Sequence, residues 1–208
     1  MNEVNLTLID EVLYTRKVNL DLNAMRETAN AMYEYIRVNF VDDGKGYSGQ
    51  STLTTKLFDK YNYLLYPVPG NHELYTVIRE TFHAALNHSK WNVEKSYHIQ
   101  CWLNVYRKGE YINWHSHGTP DMHSWHGFFC LDVEPNSSTT YKFPDQDHGI
   151  VVHSQNNLIV LGPSNGDLHK SSEWNEESPR VTIAFDITPS RILFERGHWE
   201  IPNHWMPI

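Results

Sequence analysis

Residues Trp102 to His117 read W-L-N-V-Y-R-K-G-E-Y-I-N-W-H-S-H. The run begins as a strand of apolar, aromatic and β-branched residues, turns at Lys108-Gly109, and continues as a second extended run ending in two histidines. In a strand, side chains at i and i+2 point to the same face. His115 and His117 are therefore expected to project together, close enough to share one metal ion. Imidazole suits Fe, Zn, Cu and Ni, and a histidine pair is half or more of most first-row metal sites.

Downstream, the same strand-and-turn rhythm persists. Extended runs are expected at 97–107, 111–117, 125–133, 139–143, 149–152, 157–161 and 180–187, separated by Gly, Pro, Asn and Asp. That spacing is the mark of a β-sandwich or a barrel-like jelly roll. Upstream, residues 4–18 supply one or two outer strands. Asp21 can cap a helix whose stripe is Leu22, Met25, Ala29, Met32 and Ile36. The polar run D-D-G-K-G-Y-S-G at 42–49 lacks the phosphate-cradle spacing and is read as a loop. S-T-L-T-T-K-L-F-D at 51–59 looks like a strand. Pro67-Val68-Pro69-Gly70 signals a turn, and Asn71 is expected to cap a second helix with Leu74, Val77, Ile78, Thr81 or Phe82, Ala85 and Leu86 inward. Helices before strands suggest an α+β layering, with two helices on one sheet face.

The 208 residues suit a single domain: a support region at 1–92, a jelly-roll core at 93–190 and a tail at 191–208. The tail, rich in Pro and Trp, is read as a surface wrap or an oligomer contact, which would make a homodimer. The formal net charge of −8 argues against general nucleic-acid binding. No run approaches the ~20 apolar residues of a membrane span. The first residues lack a basic start and a long apolar run, so no signal peptide is expected. Cys101 and Cys130 sit in apolar strand-like runs and read as buried free thiols. A soluble protein of a reducing compartment, the cytoplasm, is the expectation.

Thirteen histidines make most of them uninformative. Besides the strand pair, His169 stands out, in G-P-S-N-G-D-L-H-K-S-S. Arg180 then opens R-V-T-I-A-F-D-I, with Thr182 on the same face. An inward Arg is costly unless it meets an anion, and its planar fork matches a carboxylate. Histidines with an inward Arg and a hydroxyl describe a metal site with a dicarboxylic cosubstrate.

Y-R-K-G-E-Y-I-N-W-H-S-H, then L-H-K-S-S, then P-R-V-T-I-A-F-D-I together resemble the 2-oxoglutarate- and Fe(II)-dependent oxygenases. They look closest to the prolyl-4-hydroxylase-like branch, including small bacterial and phage-encoded members with an H-x-H pair. The resemblance covers about residues 97–190. Each motif alone is weak; order and spacing carry it. It implies a double-stranded β-helix, a cupin-like jelly roll. It implies His115 as first iron ligand, His169 as distal ligand, and Arg180 with Thr182 on the far carboxylate of 2-oxoglutarate. Tyr106 and Tyr141 match strands that line the cosubstrate pocket, and Asn104 shares the face of Tyr106. O₂ would be the oxidant, and the substrate a peptidyl or free amino-acid side chain, with a small metabolite second.

One position departs from the pattern. The common triad is two His and one carboxylate, and the carboxylate position here is His117. Three readings stay open: His117 binds metal, Asp121 bends in instead, or His117 stands one shell back. Strand parity favours His117, with Asp121 second. A cupin-type three-His metalloenzyme would use the same histidines without needing Arg180. A jelly-roll binding module would need neither.

Overall fold

The computed structural model describes residues 4–40, 53–90, 94, 96–195 and 205–208. Its scaffold is a seven-stranded antiparallel sheet facing a three-stranded one. The large sheet runs β1 (Thr7–Ile9), β2 (Leu13–Lys17), β7 (Leu158–Pro163), β4 (Trp125–Asp132), β9 (Arg180–Pro189), β3 (Tyr97–Tyr106), β10 (Met206–Pro207). The small sheet runs β6 (Ile150–His153), β5 (Ser138–Lys142), β8 (Leu168–Ser171).

Alternation explains how the large sheet is used on both faces. Along β9, Val181, Ile183, Phe185 and Ile187 are buried in one apolar cluster with Ile99, Cys101 and Leu103 of β3. Helices α1 (Asn23–Asn39) and α3 (Asn71–His88) cover this face, burying Met25, Ala29 and Ile36 from one and Leu74, Ile78 and Phe82 from the other. Each of these side chains larger than alanine contributes about 1.5–3 kcal/mol when removed from water. The opposite parity of β9 is Arg180, Thr182, Ala184, Asp186 and Thr188, and these face a hollow between the sheets. A separate apolar cluster of Leu13, Val160, Tyr141, Phe143, Ile150 and Val152 closes the sandwich beyond that hollow.

The two-helix, mainly β expectation holds, and six of the seven expected core strands form within a few residues of their places. The run 111–117 is no named strand. Its backbone is drawn along β8 by His115 N–H to His169 O (3.1 Å), His169 N–H to His115 O (2.9 Å) and Ser171 N–H to Ile112 O (3.0 Å). It thus edges the small sheet through one bridge, and the i, i+2 argument keeps its outcome.

Other expectations are corrected. Within 51–59, the structure has a short helix, α2 (Leu53–Lys56), not a strand. Thr54 and Thr55 are buried, and their hydroxyls reach Val105 N–H and Asn104 Oδ1 of β3. Tertiary hydrogen bonding overrides the β propensity of threonine there. Asn71 is the first helical residue, while Gly70, at φ +89°, takes the cap position. The Asn71 amide instead donates to Tyr63 O and Tyr66 O. Leu22 holds the cap position of α1, and Asp21 accepts from Asn23 N–H. Strands β8 and β10 and helix α4 (Ser190–Glu195) were not anticipated. The loop expected at 42–49 lies outside the described residues, as does the middle of the tail, 196–204. The tail's end adds β10 to the edge of β3. Among the described residues, no helix is long and apolar enough to cross a membrane.

Candidate metal centre

Three imidazoles meet where the two sheets converge. His115 comes from the edge segment, His169 from β8 beside it, and His117 leans across to the large sheet. Their ring centroids are 4.2 Å (115–169), 5.1 Å (115–117) and 5.0 Å (117–169) apart. One ligand atom from each lies within 4.8 Å of the others.

The hydrogen bonds show which nitrogen each ring can offer. His115 Nδ1 is 2.7 Å from the Asn113 carbonyl. His117 Nδ1 is 2.6 Å from Asp186 Oδ1. His169 Nδ1 is 3.2 Å from Asp167 Oδ2. Every partner is an acceptor, so each neutral ring carries its proton on Nδ1 and leaves Nε2 as its unprotonated nitrogen. A ligating histidine is oriented in just this way, by giving its other N–H to a carboxylate or carbonyl. The donor set fits a divalent first-row metal held by three Nε2 atoms.

A second grouping, His126 with Asp167 and His169, is wholly buried. His126 Nε2 lies 3.1 Å from Asp167 Oδ2 but without hydrogen-bond alignment. Because His169 Nδ1 is already engaged with Asp167, this grouping reads as support behind the first. The rings of His126, His117 and His169 stack face to face, 4.6–5.0 Å apart by centroid.

Burial sets the protonation. It lowers His115 to about 4, with the neighbouring His117 adding to the effect. It holds His169 well below the ordinary value, against the pull of Asp167. Burial also lowers His117, but Asp186 outweighs it and the net shift is upward. For Asp167, burial alone would raise the carboxyl; the charge of the adjacent His126 and the contact from His169 reverse that and keep it ionised.

Along the same cavity lie Asn104, Tyr106, Thr182 and Arg180. Arg180 is 1% exposed. Its Nη2 donates to Ser154 Oγ at 3.4 Å, and its Nε and Nη1 are buried without hydrogen-bond partners among the described residues. A guanidinium left so underused is costly to bury unless an anion completes it. The Tyr106 hydroxyl is tied to Ser171 and Thr182, and Asn104 Oδ1 accepts from Thr55.

The expected site residues thus converge, with two qualifications. Tyr141 packs behind His169, ring centroids 5.2 Å apart, rather than lining the cavity. Asp121 sits on an exposed 3-10 turn, Pro120–Met122, and belongs to neither grouping. Sequence reading missed Asp167, Asp186 and His126. For the two aspartates the signal existed: Asp167 is two residues before His169, and Asp186 lies on the Arg180–Thr182 stripe. His126 had no comparable signal.

No family model and no curated protein matches the sequence. Solved structures do resemble the fold. A Pseudomonas putida prolyl-4-hydroxylase aligns at TM-score 0.56 and 11% identity, over 86% of each chain. A Trichoplax adhaerens prolyl hydroxylase, in complex with a hypoxia inducible factor peptide fragment, aligns at 0.60 and 8%, over 88% of this chain and 86% of that one. The non-heme alpha-ketoglutarate-dependent carbocyclase SnoK of nogalamycin biosynthesis aligns at 0.56 and 11%, over 86% and 79%. The chain therefore has the double-stranded β-helix fold of the 2-oxoglutarate- and Fe(II)-dependent oxygenases.

Proposed function

We propose that this chain is a 2-oxoglutarate- and Fe(II)-dependent oxygenase that hydroxylates an amino-acid or peptidyl side chain. The observation that carries the reading is Arg180. Three imidazoles alone would serve a cupin-type metalloenzyme equally well. A buried guanidinium with two idle nitrogens in the same cavity calls for a carboxylate there.

In this reading His115, His117 and His169 would hold the iron through Nε2. When bound, iron with 2-oxoglutarate supplies the oxidising chemistry, releasing succinate and CO₂ from the cosubstrate and O₂. The chain's own residues do the rest. Asn113, Asp186 and Asp167 fix the three rings. Arg180 would clamp the distal carboxylate, and Tyr106, held by Thr182 and Ser171, stacks under the guanidinium at 4.8 Å and limits its swing. Trp102, Phe128 and Ile112 line the walls and limit water.

A peptidyl substrate is supported by the likeness to a prolyl hydroxylase solved with a peptide. The likeness to a carbocyclase leaves a small metabolite as the second reading. The test is anaerobic addition of Fe(II) and 2-oxoglutarate to the metal-free protein. A weak visible charge-transfer band, followed by succinate release on admitting air, is expected. Neither band nor succinate would remove the proposal.

A further inference from the structure

The usual carboxylate ligand is absent from the three-imidazole group, yet two carboxylates, one buried and one partly buried, stand directly behind it. Asp186 Oδ1 meets His117 Nδ1 at 2.6 Å, and Asp167 Oδ2 meets His169 Nδ1 at 3.2 Å. Asp167 is fully buried and the Asp186 side chain is 17% exposed. Asp186 is anchored from the far side, whereas the second neighbour of Asp167 meets the same oxygen as His169 does. Gln100 Nε2, directly across the β3–β9 pairing, donates to Asp186 Oδ2 at 3.4 Å. His126 Nε2 lies 3.1 Å from Asp167 Oδ2.

Three neutral imidazoles leave a divalent cation with its full double charge, one more than a two-His, one-carboxylate set. A charge of that size in a low-dielectric hollow needs balance from nearby. We propose that Asp186 and Asp167 are positioning residues that return the missing negative charge through His117 and His169. They would fix each ring with Nε2 toward the metal, make it a stronger donor, and thereby set metal affinity and redox poise. The inference rests on the three-imidazole reading above. It goes beyond it by naming where the triad's charge has gone: one bond further out, onto Asp186 of β9 and onto Asp167, the residue just before β8.

The contacts are not equivalent. Asp186 serves His117 alone among the ligands and at the shorter distance, whereas the Asp167 oxygen is shared with His126. Asp186 is thus expected to matter more per ring. Outer partners of this kind are worth roughly 10–100-fold in metal affinity.

The experiment is a Co(II) titration of metal-free full-length protein, following the visible d–d bands, with the variants Asp186→Asn, Asp186→Ala, Asp167→Asn, His117→Ala and His126→Ala. Asn keeps the size and can still accept the Nδ1–H, so it isolates charge; Ala removes both. Asp186→Asn is expected to weaken Co(II) binding by about 10-fold, and Asp186→Ala by up to about 100-fold, each with shifted bands and an unchanged melt of the metal-free protein. The Fe(III)/Fe(II) midpoint of Asp186→Asn should move upward, because a negative charge has gone. Native Co(II) affinity and an unshifted spectrum in Asp186→Asn would overturn the proposal. So would weakened binding matched by a lowered melt, which would make Asp186 structural. If Asp167→Asn fails to fold, the Asp186 pair decides alone. His117→Ala that binds Co(II) like the native chain, with His126→Ala that does not, would instead overturn the three-imidazole reading by moving the metal to the other grouping.

Discussion

The Arg180 guanidinium lies over the Tyr106 ring, 4.8 Å from its centroid, and the two residues are direct partners across the β3–β9 register. The ring holds one face of the cation while two of its nitrogens find no hydrogen-bond partner among the described residues. Arg180→Lys should therefore not rescue function, because a point charge cannot reproduce a bidentate, stacked fork. Charge-assisted hydrogen bonds contribute about 1.5–3 kcal/mol each. Losing two predicts that 2-oxoglutarate binds at least about 100-fold more weakly in Arg180→Gln, while Co(II) binding stays native. Isothermal titration of each ligand separates the two; loss of both together would mean that Arg180 supports the fold rather than the cosubstrate.

Acid should weaken the metal-free protein over a defined window. His115 is held at about 4 and His169 well below its ordinary value, both chiefly by burial. Between those values and the unfolded value of 6.5, the unfolded chain binds more protons than the native one, so stability falls as pH drops through that range. For His115 alone the ceiling is about 3 kcal/mol, less where solvent reaches the ring. His117 runs the other way: its raised value means a contribution complete below 6.5 and lost as pH rises past the folded value. Thermal melts should decline from pH 6.5 toward 4, and a flat profile would contradict the burial of these rings. Metal needs all three rings neutral, so binding near pH 6.5 should release a proton from His117. Calorimetry in buffers of different ionisation enthalpy would register it.

Gly127 sets how closely β4 sits between its neighbours. A Cβ there would come within 2.2 Å of Val160 O and 2.7 Å of the Phe185 ring. Backbone cannot yield as a flexible side chain can, so Gly127→Ala should destabilise by about 1–3 kcal/mol. For a chain of this size each kcal/mol lowers the melting temperature by about 2–4 °C. An unchanged melt would show that the strands part at no cost.

Much of this was legible from period and parity alone. The stripes Met25-Ala29-Ile36 and Leu74-Ile78-Phe82 placed both helices, and steps of two placed His115 with His117 and Arg180 with Thr182. One such step would have reached Asp167 from His169, and two would have reached Asp186 from Thr182. What sequence could not give was contact between elements. Thr54 and Thr55 look like strand residues and become helical only because β3 offers them partners. His126 is one histidine of thirteen until the sheets close and stack it on His117 and His169. The His115 segment is held by the small sheet through one bridge, a pairing that no local propensity encodes.

That bridge also frames the choice between His117 and Asp121. Once His115 is locked opposite His169, chain direction carries His117 inward to Asp186, while the chain turns outward at Gly118, φ +87°, before Asp121. Asp121 then lies on an exposed turn, outside both ligand groupings. To reach the metal it would have to unwind the Pro120–Met122 turn, and nothing in the imidazole geometry requires a fourth protein ligand. His169→Ala and His117→Ala should each abolish stoichiometric Co(II) binding in equilibrium dialysis, and Asp121→Asn should leave it native. The reverse pattern, with Asp121→Asn losing metal and His117→Ala retaining it, would mean that the loop folds inward when metal arrives and that the triad is two imidazoles and a carboxylate after all.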